Sequence, residues 1–336
     1  DRLQLMRACQ ANFSPLFSLY QDPEQKIASI LAEASQVKPI IDISVPSPLT
    51  GEGQGGGGEK HIVWAITNSE LQQQIKRSLS AQWLYMADGH HRYETALAYQ
   101  KERAQVSYEQ IPSPLKGEGQ GEGEGEEVKQ SLTGKEAFNY VMMELVDFSD
   151  PGLVVLPIHR LVRGISPSVL ARLRNQLESF FILESVPLTS VPSPLMGEGQ
   201  GEGEELMSSL KSNVLGVLGL EPECLVLLKQ RQGVSLEAMM PSNRTQAYKE
   251  FNVSLLNHVI LDKVLSGAKD LDIAYTANTI EAYQQIREGK YQLAFLLASP
   301  QPEMVRAVAD AKDRMPRKST YFYPKLPAGL IINSLD

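Results

Sequence analysis

Apolar and polar positions along the chain alternate between two periods, and the changes of period outline the elements. Phe13 to Tyr20 reads as a strand interrupted by Pro15. Residues 24–35 follow as a helix, because Ile27, Ile30, Leu31 and Ala34 fall on one face. His61 to Thr67 is an apolar strand. Ser69-x-x-Gln72 is a capping box, and Leu71, Ile75 and Leu79 continue one helical stripe. Trp83 to Ala87 predicts a short buried strand, and residues from Arg92 to about Gln105 a helix. Strand, helix, strand, helix is the alternation of an α/β layer.

Further along, Phe138 to Phe148 and Leu153 to Ile158 read as neighbouring strands joined at Asp150-Pro151-Gly152, a strong turn signal. Ser166-Pro167 makes an N-cap and first-turn pair for a helix carrying Val169, Leu170, Leu173 and Leu177. Phe181 to Leu188 is a strand. Val214 to Leu220 and Cys224 to Lys229 predict a hairpin around Glu221-Pro222. Ser254 and Thr279 are expected to cap two helices. Tyr291 to Ala298 is a strand, residues 302–313 a helix, and Leu330 to Asn333 a last strand. The fold class is therefore α/β, or mixed α+β. A chain of 336 residues fits two domains, expected at 1–150 and 151–336.

Three stretches break this patterning. Pro-Ser-Pro-Leu-x-Gly-Glu-Gly-Gln-Gly occurs at Pro46 to Gly55, Pro112 to Gly121 and Pro192 to Gly201, each followed by a Gly/Glu tail. The copies start 66 and 80 residues apart, so they are not a solenoid period. Such composition cannot bury enough surface to offset ordering, so segments 45–59, 111–127 and 191–205 are expected to be flexible loops inserted between elements. Near-identity in dissimilar surroundings points to in-frame insertion of one DNA element. Gly53-x-Gly55-x-x-Gly58 matches the dinucleotide fingerprint but neither follows a strand nor opens a helix, as that fingerprint requires.

The insertions also distort the charge. The chain carries −8, yet these segments hold eleven glutamates against Lys116, so the remainder is about +2. A nearly neutral body gives no reason to expect nucleic acid or membrane as partner. No apolar run approaches a membrane span or a signal peptide. Two cysteines, Cys9 and Cys224, make no disulfide framework and fit a reducing, cytoplasmic setting. The first residue is Asp1, and an upstream region is expected to precede it.

Candidate chemistry concentrates at Trp83-Leu-Tyr-Met-Ala-Asp88-Gly-His-His-Arg92-Tyr-Glu94. A strand ends in Asp88, Gly89 permits tight backbone geometry, and a helix begins near Arg92. Helix N-termini expose free N–H groups and positive partial charge. His90, His91 and Arg92 placed there make an anion site, most naturally for phosphate. Asp88 can hold a metal or accept a proton, and either histidine can shuttle protons near neutral pH. Glu94 either joins the site or favours the helix start. The bland alternative has Asp88 as a cap, the histidines bonded to backbone and Arg92 solvated. Secondary binding candidates are His159-Arg160 and the cationic, hydroxylic and aromatic run Lys318, Ser319, Thr320, Tyr321, Tyr323 and Lys325, with Asn12 and Ser14 behind them. His61 and His258 sit in apolar patterns and read as core or surface residues.

Ala87-Asp88-Gly89-His90-His91-Arg92-Tyr93-Glu94-Thr95-Ala96-Leu97 resembles the signature of a bacterial and archaeal family, the domain of unknown function DUF1015. Ala11-Asn12-Phe13-Ser14-Pro15-Leu16-Phe17, Leu156-Pro157-Ile158-His159-Arg160-Leu161-Val162 and the run from Met315 to Lys325 resemble it too. The resemblance spans nearly everything but the insertions, and it implies a further N-terminal region. A looser resemblance, resting on about five residues, is to the ParB/sulfiredoxin-like superfamily. Its members place Asp-Gly-His-x-Arg or a related basic motif at a nucleotide phosphate. It implies a ParB/sulfiredoxin-like layer carrying the turn, and it includes nucleotide-binding partition proteins and a free-serine kinase. The acidic base that the kinases draw from an N-terminal segment has no counterpart that the motif locates here.

Three functions follow as expectations. The first is a phosphoryl-transfer enzyme, kinase or phosphohydrolase, acting on a small metabolite with Mg²⁺ and a nucleotide (ATP or ADP). In it Asp88 is metal ligand or base, His90 or His91 acid/base, and Arg92 the phosphate clamp. The second is a non-catalytic, ParB-like nucleotide switch. The third is a metal-dependent hydrolase using Asp88, His90 and His91, which lacks the usual His-Glu-x-x-His companions.

Overall fold

The structure, a computed structural model, describes residues 2–45, 59–109, 133–188, 210, 214–323 and 325–336. The three Gly/Glu segments lie outside these residues, except that Val45 and Glu59 belong to strands. Fifteen strands occur among the described residues. They are β1 (Ala11–Asn12), β2 (Leu16–Tyr20), β3 (Ile41–Val45), β4 (Glu59–Val63) and β5 (Tyr85–Asp88). Then come β6 (Met143–Asp147), β7 (Val154–Leu156), β8 (His159–Arg163), β9 (Phe181–Pro187) and β10 (Val214–Leu218). The last are β11 (Cys224–Gln230), β12 (Asp272–Thr276), β13 (Leu293–Leu297), β14 (Tyr321–Tyr323) and β15 (Asn333–Ser334). Helices intervene, so the class is mixed α/β. No described helix is long and apolar enough to cross a membrane.

The chain forms two units, each built from separated stretches. The first comprises residues 1–29, 69–153 and 324–336; the second, 30–68 and 154–323. In the first unit, β2 is the centre of a three-stranded sheet, antiparallel to β5 and parallel to β6. Every β2 residue is buried. The helix His90–Glu109 packs on this sheet, with Tyr99 buried in the interface. Asp22 accepts the backbone N–H groups of Lys26, Ile27 and Ala28, which closes the start of the helix Lys26–Ala34. Chain ends meet where β1 pairs with β15.

The second unit carries a six-stranded sheet in the order β12-β8-β13-β10-β11-β9, every pair antiparallel. Alternation puts two apolar sets on opposite faces. One, with Val162, Val217 and Phe295, packs against the helix Pro167–Glu178 and the π-helical turn Leu256–Val264. The other, with Leu161, Ala294 and Leu296, packs against Ala282 of the helix Thr279–Arg287.

Several expectations change. The strand after residue 137 begins only at Met143. It pairs with β2, whereas β7 pairs with β14, although the Asp150 turn forms, its carboxylate accepting from Gly152 N–H. Local alternation announces a strand but not its partner. Trp83 stands 83% exposed ahead of β5, so the strand starts two residues later, and its four residues are half-buried rather than buried. The helix expected to be capped by Ser254 starts after Phe251, with Ser254 inside it, and Asn278 rather than Thr279 caps the next, accepting from Glu281 N–H. The strand-helix alternation of the sequence gives mostly antiparallel pairs, and among the described residues only β3–β4 and β10–β11 join consecutive strands.

Candidate functional site

Asp88 ends β5, and its position depends on an irregularity. Leu19 pairs with Tyr85 and Ser18 with Met86, but Phe17 pairs with Asp88, so Ala87 is the extra residue of a bulge. Without it Ala87 would face Phe17. Bulges re-aim side chains in this way. On the other side of β2, Phe17 pairs with Glu144 of β6. One row across three strands therefore reads Asp88, Phe17, Glu144, with the two acids about 10 Å apart at the backbone.

Gly89 turns the chain from strand to helix at φ +99°, a backbone that side chains disfavour. A Cβ there would lie 3.0 Å from both Arg92 Nη2 and Leu16 Cδ2. Gly89 O then accepts the first helical N–H groups, from Arg92 and Tyr93. This close approach brings Arg92 back over the turn, its Nη2 3.9 Å from Asp88 Oδ2. Lys325 donates to the same oxygen at 2.6 Å, and Gly89 N–H donates to Asp88 Oδ1 at 2.8 Å. Arg92 Nε is buried with no hydrogen-bond partner among the described residues.

Two acids and two cations thus share one site, with unequal proton affinities. Burial would raise the Asp88 carboxyl, but the hydrogen bond and charge of Lys325, with Arg92 and the Gly89 N–H, hold it below its ordinary value. Burial pushes Glu144 up to about 7, against the pull of Lys325 and Arg92 and with the repulsion of Asp88. Glu144 was not singled out in the sequence. Its signal is a lone carboxylate in the apolar run Met142-Met143-Glu144-Leu145-Val146.

The remaining candidates separate. His90, His91 and Glu94 are exposed on the first helical turns, and His91 Nδ1 engages Glu94 Oε2 at 3.2 Å. Asn12 is buried, its Oδ1 accepting from Met142 N–H and Asn333 Nδ2, a tie between backbone segments of the first unit. His159, Arg160, Lys318, Ser319, Thr320 and Tyr321 belong to the second unit. There Arg160 donates to the carbonyls of Ile158, Arg317 and Lys318, and Ser319 Oγ to Pro316 O. A cavity of about 1230 Å³ in that unit, lined by Phe181, Leu228, Leu236 and Lys249, touches none of these candidates.

His159 is fully buried. Its Nδ1 accepts from Leu297 N–H at 3.2 Å, which leaves the ring proton on Nε2 to donate to Thr279 Oγ1 at 3.0 Å. Both ring nitrogens are used by the neutral form. Burial, with Arg160 nearby, lowers its pKa to about 4. The unfolded chain binds this proton near pH 6.5, so stability present above that pH is lost as pH falls toward 4, by up to about 3 kcal/mol. Thermal unfolding between pH 6.5 and 4 should show a steeper drop in Tm for the wild type than for His159→Gln. Equal slopes would assign the acid lability elsewhere.

No group of three or more His, Cys, Asp or Glu residues placed to hold a metal exists among the described residues. Both Asp88 oxygens already have donors.

Comparison with solved structures finds slight likenesses. A conserved hypothetical protein from Pyrococcus furiosus has 12% identity and a TM-score of 0.35, with 94% of this chain and 95% of that chain covered. A free serine kinase in complex with AMP has 13% identity and a TM-score of 0.33, with 92% and 83% covered. A mutant free serine kinase in complex with ADP has 11% and 0.34, with 91% and 83% covered. Likenesses of this size say nothing of the chemistry. No curated protein matches. The family model described as "Protein of unknown function (DUF1015)" matches residues 1–255, which is most of the chain, and the protein belongs to the DUF1015 family.

Proposed function

We propose that the turn from Asp88 to Arg92 binds a phosphorylated small molecule, and that the protein is a cytoplasmic phosphoryl-transfer enzyme. In this reading a nucleotide gives a phosphoryl group to the hydroxyl of a small metabolite. The observation that carries it is Arg92. Its guanidinium lies close over Gly89 and beside the Asp88 carboxylate that Lys325 also engages, with Nε buried and without a hydrogen-bond partner among the described residues. Guanidinium forks and helix N-termini both suit phosphate oxygens. Phosphoryl transfer asks the protein mainly for position and positive charge. Asp88 holds Lys325 in place, and the exposed His90 and His91 stand at the same turn for proton movement. Mg²⁺ in this scheme is carried on the nucleotide's phosphates, as is usual for that ion.

Calorimetric titration of ATP, ADP and CTP, with and without Mg²⁺, tests the reading. Micromolar binding of one nucleotide is expected. Arg92→Ala should weaken it by about 1.5–3 kcal/mol, roughly ten- to 150-fold, the range for hydrogen bonds to a charged group. Equal affinity in a folded Arg92→Ala protein, or no nucleotide binding by the folded wild type, would refute the assignment.

A further inference from the structure

Glu144 has no place in the scheme above, yet it lies on the same row as Asp88 and within the electrostatic reach of both cations. Three charged groups face it: Lys325 from the C-terminal stretch, Arg92 from the helix and Asp88 from β5. From β2 its neighbour is the apolar Phe17. With both acids ionised, the two cations are fully matched and the site has no net charge to offer an anion. With Glu144 protonated, one positive charge is left over, and the carboxyl becomes a hydrogen-bond donor.

We propose that Glu144 is a ligand-binding residue that acts in its neutral form, so that the site takes up a doubly charged tetrahedral anion together with one proton. The inference rests on the phosphate reading of the turn and narrows it. The preferred ligand is a dianionic phosphate group, and its affinity is set by pH. Asp88 cannot take this role, because Lys325 and the Gly89 N–H keep it ionised. The half-buried Glu144, whose proton is lost only at about pH 7, can. A dianion placed among these groups raises its proton affinity further, since like charge disfavours the ionised form. No covalent bond changes. The proton comes from solvent and leaves with the anion.

Sulfate is the suitable probe, because it stays doubly charged from pH 5 to 9 and contributes no titration of its own. Its affinity should be constant below pH 7 and fall by up to tenfold per pH unit above it. Titrations in buffers of different ionisation enthalpy should show proton uptake approaching one per sulfate at pH 8. Glu144→Gln keeps the shape and removes the proton. It should bind sulfate with the same affinity at pH 6 and 8. A pH-independent wild type, or a Glu144→Gln protein retaining the wild-type slope, would overturn the role of Glu144 and leave the anion site standing. Absence of sulfate binding at pH 6 by the folded wild type would overturn both.

Discussion

Replacing Gly164 by alanine should destabilise the second unit by about 3–5 kcal/mol, enough to lower Tm by roughly 10 °C for a unit of this size. Gly164 follows β8 at φ +84°, where an L side chain is strained. The greater part of the effect comes from contact. A Cβ at this position would stand 2.0 Å from Asp270 O and 2.8 Å from Asp270 C, both backbone atoms. The neighbouring segment cannot yield without moving β12, because the next pair in register is Arg163 with Asp272, joined also by their side chains at 2.7 Å. Thermal or urea unfolding of Gly164→Ala would show it. A loss below 1 kcal/mol would mean that the 270–272 backbone relaxes freely.

Arg160→Leu should cost a similar amount, about 3–5 kcal/mol, for a different reason. Arg160 is 1% exposed and has no carboxylate partner among the described residues. Its guanidinium organises backbone instead, donating to Ile158 O and, at 2.8 Å, to Lys318 O, with Tyr275 stacked 5.6 Å from its carbon. Leucine would take this donor from the buried Ile158 carbonyl and the part-buried Lys318 carbonyl and free the 317–318 segment, where Lys318 holds φ +57°. Unfolding should be matched by faster amide exchange or proteolysis around residue 318. A Leu variant as stable as the wild type would show that the buried charge outweighs its hydrogen bonds, as happens for some buried ion pairs. Burial does lower the proton affinity of this guanidinium, to about 10.

What was legible in the sequence follows the distance over which each signal acts. The turn from Asp88 to Arg92 could be read because strand end, glycine and helix start are adjacent. The β10–β11 hairpin was equally local, and its pairing of Val217 with Val226 follows from one short turn. The pairing of β6 with β2 joins strands more than 120 residues apart, and no periodicity encodes it. For this reason Glu144 stayed out of view. Its meaning comes only from the row it shares with Asp88. His159 and Arg160 were visible as chemistry, but a polar pair inside Ile158-His159-Arg160-Leu161-Val162 fits a buried hydrogen-bonding role as well as an exposed one. Only the surrounding carbonyls and Thr279 decide between them.

The bulge at Ala87 has a consequence for how this protein can change. It interrupts the β2–β5 ladder, and beside it Ser18 Oγ is buried with no partner among the described residues. Each is a local loss of stability, of the order of 1–3 kcal/mol for an unsatisfied buried hydroxyl. Straightening β5 would recover the ladder but move Asp88 off the row it shares with Glu144. Natural proteins hold reserves of stability that selection for function keeps them from using. In this chain such a reserve lies at Ala87 of β5 and at Ser18 of the neighbouring β2. On the proposed reading of the turn, variants chosen for heat resistance alone would be drawn to the same positions that anion binding needs unchanged.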